Sequence, residues 1–343
     1  MKIKKRKESA MKKILVVFTG GTIASGVENG YISPDGKNAY KLLDMYEKEN
    51  KKSAVEFFAV SPYNILSENL NPGYICRLVL CVKENIKNGG YDGVIVAHGT
   101  DTLPYSAAAL SYAFGLGSIP IVLVSSNYIL EDKRQNGYKN FCAAVAFIEG
   151  GYGKGAFVSY QNADNTLYIH RASRILNHVM YTDDVTSVKN SYYARLEGDI
   201  FIKNENYFET ADETAVFDFE KYSAKRSVLM LNMYPGERFN YDLKDVFAVL
   251  LCSYHSGTVN TDSGELKAFL SYAKKSGVPV FLLGGGKKVL YASAKDFDKL
   301  GLKLIDFAAP AAMYIKLLFG GCAGVDIYKL LDKSLGADIL KNS

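Results

Sequence analysis

Short apolar runs alternate with segments of helical spacing through the first half of the chain. The runs are rich in β-branched residues, which is typical of strands buried on both faces of a parallel sheet. The predicted strands cover 14–18, 54–60, 93–97, 119–124 and 155–160, and the predicted helices cover 40–49, 72–85, 106–114 and 139–148. Because strands and helices alternate, we expect an α/β fold with a doubly wound, mostly parallel sheet. Segment 27–38 reads as an exposed polar loop, and segment 167–186 as extended and then irregular.

The second half restarts the same alternation after a polar stretch rich in Asp and Glu, which we interpret as a linker. Its predicted strands cover 227–233, 246–252 and 279–283, and its predicted helices cover 264–276, 313–319 and 324–335. The pattern therefore predicts a smaller α/β domain. The expected divisions are a basic extension at 1–10, a larger domain at 11–205, a linker at 206–225 and a C-terminal domain at 226–343.

Composition narrows the possible functions. The 343 residues are 48% apolar and carry a net charge of +5, much of which lies in the first 13 residues. Such a chain can bury a large core, and it shows no basic patch interleaved with aromatics for a nucleic acid. No segment resembles a secretory signal or is long enough to span a membrane, so we expect a cytoplasmic protein.

The cysteines and histidines give no sign of a disulfide framework or a metal site. The five cysteines are scattered and odd in number, and the four histidines lack metal-ligand spacing. We therefore expect free thiols, no metal and no cofactor.

Two predicted strands end in similar polar turns, TGGTIAS at Thr19–Ser25 and HGTDT at His98–Thr102. Glycines at a turn let a ligand approach the backbone, and open α/β sheets bind ligands at the carboxyl ends of their strands. Each turn also has a purely structural interpretation. Thr22 suits a cap after a Gly-Gly turn, and Thr100 with Asp101 suits the start of the next helix. Neither glycine pattern of phosphate-binding loops occurs here.

Together the two turns resemble those of the bacterial-type, cytoplasmic type I-like L-asparaginase family. Other features agree in order: the segment Gly30-Tyr31-Ile32, a loop with Ser67 before a helix that begins at a proline, and Tyr234-Pro235-Gly236. The resemblance implies an L-asparagine amidohydrolase that forms aspartate and ammonia without a cofactor. It also implies a homodimer or homotetramer in which a neighbour's smaller domain completes each site.

The resemblance assigns roles to individual residues. Thr22 matches the nucleophile that forms an acyl-enzyme, since a hydroxyl near a base or an activating network can attack an amide. Tyr31 matches the tyrosine of a closing loop, and Thr100 the threonine that orients the attacking group or water. Asp101 matches the aspartate that holds the substrate's α-ammonium.

The remaining substrate contacts are expected from the same turns. Ser67 matches the serine that binds the α-carboxylate, and Glu68 after it either receives the ammonium or is an ordinary exposed acid. Gly21 and Gly99 bring closely spaced backbone N–H groups that suit an oxyanion site. Leu66 departs from the family, which usually has an aspartate there.

The family's catalytic lysine has no clear counterpart. The closest match, Arg171-Ala172-Ser173-Arg174, places Arg174 at that position, where arginine keeps the charge but cannot carry a proton. A shifted alignment places Asn177 or His178 there, and a histidine can act as a base. If the region is misaligned, Arg174 is a surface cation. A second departure is the turn at 255–258, where Thr258 replaces an asparagine.

Three functions stay open at this stage. Asparagine hydrolysis is the first, and the second is a glutaminase-type enzyme or the ammonia-producing subunit of a tRNA-dependent amidotransferase. The third is a catalytically degenerate protein that binds aspartate or asparagine, and the arginine at position 174 keeps it open. The expected ligand is in each case a small amino acid or its amide, with no nucleic acid and no membrane as partner.

Overall fold

A computed structural model describes residues 11–28, 31–34, 36–51, 53–209, 217–284 and 291–340. The strands are, in chain order, β1 (Lys12–Phe18), β2 (Ser25–Glu28), β3 (Tyr31–Pro34), β4 (Val55–Val60), β5 (Gly93–Ala97), β6 (Pro120–Val124), β7 (Gly155–Gln161), β8 (Leu167–Arg171), β9 (Ala194–Glu197), β10 (Ile200–Lys203), β11 (Ser227–Asn232), β12 (Val246–Cys252), β13 (Val280–Leu283) and β14 (Leu302–Ile305). The helices are α1 (Gly36–Glu49), α2 (Pro72–Gly89), α3 (Leu103–Phe114), α4 (Gly137–Glu149), α5 (Gly264–Lys275), α6 (Pro310–Cys322) and α7 (Ile327–Leu331).

The larger sheet has the strand order β10-β9-β8-β7-β6-β5-β1-β4. Strands β4, β1, β5, β6 and β7 are parallel, whereas β8, β9 and β10 continue the sheet in antiparallel pairs. The central strands are buried on both faces because helices cover both sides, which is why they are continuous apolar runs. The expected mostly parallel, doubly wound α/β sheet is confirmed.

The strand order reverses at β1, and this reversal positions the candidate site. From β1 the chain first adds β4 on one side and then β5 on the other. Where the order reverses, the crossover connections lie on opposite faces, and a crevice opens outside the carboxyl ends of the two strands. The loops that leave β1 and β5 at this edge are the two turns singled out in the sequence.

The smaller sheet contains β11, β12, β13 and β14, all parallel and in sequential order. Helix α6 packs on both β11 and β12 and also contacts α3 of the larger domain. One hydrophobic core therefore runs from Leu15 to Leu340 across both sheets. The expected smaller α/β domain is confirmed, and the larger sheet ends at Lys203.

A buried network of charged and hydrogen-bonded side chains links the segment around Asp338 to the larger domain. Lys316 donates to Asp338 at 2.8 Å, and both side chains are fully buried. Tyr112 on α3 donates to the same carboxylate at 2.9 Å. Because an unpaired buried charge is costly, the three side chains specify one position for the C-terminal segment.

Several sequence expectations need correction. The segment 27–38, expected to be a polar loop, contains the end of β2, all of β3, which pairs antiparallel with β2, and the start of α1. The expected helix at 324–335 is the short α7, because Asp326 caps it through the N–H groups of Tyr328 and Lys329. Strands β9, β10 and β14 were not expected. Within the expected linker, residues 210–216 lie outside the described residues, and Phe219 is buried in the core. The basic extension at 1–10 and Gly30 also lie outside them.

Candidate active site

The first turn is tied to the loop that follows β4. Gly20 and Gly21 have φ angles of 103° and 75°, which side-chain-bearing residues rarely adopt. The Gly21 N–H donates to the Ile65 carbonyl at 3.1 Å, and the Ile65 N–H donates to the Thr19 carbonyl at 3.2 Å. This pairing extends the sheet past β1 and sets the direction in which the chain enters Thr22.

Three loops meet at two glycines. A Cβ on Gly21 would lie 2.4 Å from the Gly99 Cα, and a Cβ on Gly99 would lie 2.4 Å from the Ser67 Cβ. No real Cβ atom packs so closely, so any larger residue would push the loops apart. The glycines thus bring the loops of β1, β4 and β5 into direct contact.

A hydrogen bond joins the second and third loops. The Ser67 hydroxyl donates to Asp101 Oδ2 at 2.9 Å, and the Thr102 hydroxyl donates to the Ser67 carbonyl at 2.9 Å. Ser67 is buried, whereas Asp101 is exposed. The carboxylate is therefore held on one side and open on the other, where it can accept further donors.

His98 fixes the backbone before Thr100. Its Nδ1 lies 2.8 Å from the Gly99 carbonyl, and its Nε2 lies 2.8 Å from the Ser106 hydroxyl. Since a carbonyl only accepts, Nδ1 carries the proton, and Nε2 accepts from Ser106. Burial lowers the pKa of His98, which favours this neutral form. The sequence interpretation assigned His98 no role; its position straight after a buried strand was the available signal.

The two threonines occupy matching positions in their loops. Thr22 begins a short 3-10 turn and Thr100 precedes α3, and both are partly accessible. Among the described residues, none accepts a hydrogen bond from the backbone N–H of either threonine. Two free donors of this kind can stabilise a negatively charged oxygen.

The other expected substrate contacts lie at the rim. Glu68 is exposed in the 3-10 turn that starts at Ser67. Tyr31 begins β3 and its side chain is 78% exposed. The hairpin packs against the 3-10 turn of Thr22, so Tyr31 lies on an element next to the site.

The structure does not bring Arg174 together with Asp101. The Arg174 side chain is fully buried; its Nε donates to the Ala337 carbonyl at 2.5 Å and a terminal nitrogen donates to the Phe208 carbonyl at 3.0 Å. Its guanidinium lies 4.9 Å from the centre of the Tyr207 ring. Burial lowers its pKa. Arg174 is thus neither a surface cation nor, in this structure, a partner of Asp101.

His178 is a basic side chain whose pKa is affected by Asp101. It is half-buried, and its ring packs against Tyr160 with 5.8 Å between centroids. Burial lowers the pKa of His178, while Asp101, Asp183 and Asp184 act in the opposite direction. Asn177 is exposed and reaches the Tyr105 hydroxyl on α3. Which of the two alignments applies stays a prediction.

The second departure from the family lies in a tight turn of the smaller domain. The Tyr254 N–H donates to the Thr258 carbonyl at 2.9 Å, and His255 at the tip is exposed. Beside it, a cavity of about 390 Å³ is lined by residues that include Tyr234, Arg238 and Glu265. This turn projects from the carboxyl end of β12.

Within the described part of the chain, no three His, Cys, Asp or Glu side chains come together as metal ligands. The five cysteines are free. None of the described helices is both long and apolar enough to cross a membrane.

Comparison with known proteins places these loops in a family. Residues 13–207 match the family model described as "Asparaginase, N-terminal". Among curated proteins, the chain is 24% identical to a glutamyl-tRNA(Gln) amidotransferase subunit from Methanosphaera stadtmanae, over 98% of this chain and 79% of the relative. It is 28% identical to the protein of the same name from Methanococcus maripaludis, over 97% of this chain and 82% of the relative.

Solved structures agree on the fold. The thermostable L-asparaginase from Thermococcus kodakarensis superimposes with a TM-score of 0.78 at 21% identity, covering 96% of this chain and all of that one. At this identity the likeness concerns the fold alone. The family model, in contrast, covers more than half of the chain and includes every loop described above except the turn of the smaller domain. The chain belongs to the asparaginase family.

Proposed function

We propose that the protein hydrolyses the side-chain amide of a small amino acid and releases ammonia, with Thr22 as the nucleophile. The observation that carries the proposal is the meeting of three loops at the carboxyl ends of β1, β4 and β5. It gathers two threonines, a held carboxylate and two backbone donors that have no partner among the described residues at one edge. A hydroxyl, an acceptor for the substrate's ammonium and an oxyanion site are what acyl transfer from an amide requires.

The reaction proceeds in two stages. In the first stage, the Thr22 hydroxyl oxygen bonds to the amide carbon while its proton passes to a base. The carbon–nitrogen bond then breaks, and the nitrogen takes up a proton and leaves as ammonia. Water then attacks the ester and restores the hydroxyl. Thr100 orients the attacking group or water, and the N–H groups of Thr22 and Thr100 stabilise the negative oxygen of each tetrahedral intermediate.

Substrate binding redirects the Ser67 proton. The hydroxyl has one hydrogen, and in the structure it goes to Asp101. A substrate α-carboxylate that takes this hydrogen leaves Asp101 with a free acceptor for the adjacent α-ammonium. Glu68 offers a second carboxylate at the rim, and Tyr31 covers the site if the hairpin closes.

Two biological uses of the released ammonia are candidates. In the first, the enzyme acts on free asparagine and forms aspartate. In the second, it supplies ammonia within a tRNA-dependent amidotransferase, and the names of the curated relatives favour this use. We further propose that the chain forms homo-oligomers. The third candidate function, binding of aspartate or asparagine without turnover, predicts binding but no ammonia.

The experiment measures ammonia from asparagine and from glutamine for the wild type, Thr22→Ala and Thr22→Ser. We expect loss of activity in Thr22→Ala and partial retention in Thr22→Ser, because serine keeps the hydroxyl. Equal rates in the wild type and Thr22→Ala would reject this nucleophile. Aspartate binding without ammonia from either amide would favour the non-enzymatic function. A preference for glutamine would favour the amidotransferase use.

A further inference from the structure

His178 has two ring nitrogens without a hydrogen-bond partner among the described residues, and both are closed off from solvent. Such an arrangement is uncommon, because a buried polar atom normally finds a partner and costs free energy when it does not. The ring is fixed by its edge-on contact with Tyr160. An unpartnered imidazole held in this way is suited to forming a hydrogen bond with a group that is placed beside it.

The fold brings His178 to the edge of the sheet that carries the threonines. Tyr160 lies near the carboxyl end of β7, which is parallel to β6 and β5. The chain after β8 packs along α3 through the turn Ala172–Arg174, and α3 begins just beyond Asp101. Segment 172–178 therefore follows the helix whose first residues continue the second threonine loop.

Three carboxylates, those of Asp101, Asp183 and Asp184, act on the pKa of His178, and the Tyr160 ring contacts its ring. Asp183 accepts from the Asn127 amide at 3.4 Å, Asp184 accepts from the Ala163 N–H at 2.7 Å, and Asp101 accepts from Ser67. Burial raises the pKa of Tyr160 to about 12, so this phenol stays protonated at neutral pH. The carboxylates favour the imidazolium and burial favours the neutral ring, with burial the larger effect. Because burial has the larger effect, the imidazole is neutral before the reaction begins. Once it gains a proton, the Asp101 carboxylate stabilises the imidazolium.

We propose that His178 is the proton carrier of this site, a role that rests on the proposed amide hydrolysis. Its free nitrogen takes the proton of the hydroxyl that attacks the amide carbon and gives it to the nitrogen of the breaking carbon–nitrogen bond, so that ammonia leaves. In the second stage it takes a proton from the attacking water and returns it to the threonine oxygen as the ester bond breaks. Protons and bonds balance within each stage, and no further reactant is needed.

The test compares the wild type with His178→Ala, His178→Gln and, as a matched control on the same loop, Val179→Ala, whose side chain is 67% exposed. We expect kcat to fall by about 100-fold or more in both histidine variants with little change in KM, since a positioned acid–base group contributes about 10²–10⁴-fold. Added imidazole should restore part of the rate in His178→Ala, which a purely structural loss would not allow. The acidic limb of the pH profile of kcat should vanish in both variants.

The outcomes separate this inference from the proposed function. Ammonia release by His178→Ala at the wild-type rate, or a fall that imidazole does not reverse and that leaves the pH profile unchanged, would overturn the role of His178 alone. Absence of ammonia from the wild type with both amides would overturn the proposed function and this role together. Thermal unfolding of each variant shows whether a lost rate reflects lost folding; if His178→Ala unfolds, His178→Gln supplies the same comparison.

Discussion

The Ser67 hydroxyl donates to Asp101 Oδ2 over 2.9 Å, which links the loop after β4 to the loop after β5. The bond connects residues 34 positions apart in the chain, one buried and one exposed. It therefore orients the carboxylate before any substrate arrives.

Removing this donor should weaken the site without unfolding it. In Ser67→Ala we expect kcat/KM for the amide substrate to fall by about 10-fold, because a hydrogen bond to a charged group is worth about 1.5–3 kcal/mol and Asp101 is partly solvated. The Ser67 carbonyl still accepts from Thr102, so the thermal midpoint should change little. Ser118→Ala, which removes a hydroxyl that donates to the Ile119 carbonyl, is the control. An unchanged kcat/KM in Ser67→Ala would contradict the role of this bond.

Because Gly99 packs directly against Ser67, we expect that adding even one methyl group at position 99 destabilises the protein. Gly99→Ala should lower the free energy of unfolding by about 1–3 kcal/mol, the usual cost of overpacking, and should reduce ammonia release. Gly117→Ala is a matched control, because a Cβ there meets nothing within 4 Å and neither glycine has a left-handed φ. Urea unfolding of both variants measures the difference, and equal stabilities would show that the loops are not in close contact.

The burial of Arg174 predicts that a lysine there does not improve catalysis. Arg174→Lys loses the fork that reaches the carbonyls of Ala337 and Phe208, so we expect a loss of about 2 kcal/mol in stability. Ammonia release per folded molecule should stay the same. A higher rate in Arg174→Lys would instead place residue 174 at the lysine position of the family.

Buried His170 should make the protein less stable as the pH falls. Its Nδ1 lies 2.7 Å from the Ser187 hydroxyl, its Nε2 has no partner among the described residues, and burial lowers its pKa to about 3. An unfolded histidine has a pKa of about 6.5. Above that value both states are neutral, whereas between about 6.5 and 3 only the unfolded chain binds the proton, so stability drops by up to about 1.4 kcal/mol for each pH unit.

Urea unfolding at pH 7.5, 5.5 and 4.5 checks this sign. His170→Gln should reduce the pH dependence below pH 6.5, whereas the same change at exposed His255 should leave it as in the wild type. A steep loss of stability that persists in His170→Gln would assign the effect to other groups.

The α/β alternation and the two loops that carry the threonines were predictable from the residues alone. Both signals are local: a buried parallel strand is an apolar run, and a turn that needs left-handed backbone demands glycine. The family resemblance followed from the same two loops. Strands β9 and β10 were missed because they are short and largely exposed, and the place of their hairpin in the sheet depends on β8, which is distant in sequence.

The way the chain packs decided the surroundings of Arg174 and His178. Arg174 and His178 are four positions apart, and both suit the family pattern from their residue types alone. Packing against α3 and the C-terminal segment buries the arginine among backbone carbonyls and leaves the histidine at the edge of the sheet. The charge and spacing of these two residues can be read from the sequence. Their burial, their hydrogen-bond partners and the charges around them depend on distant parts of the chain, such as the Ala337 carbonyl, which lies 163 residues from Arg174.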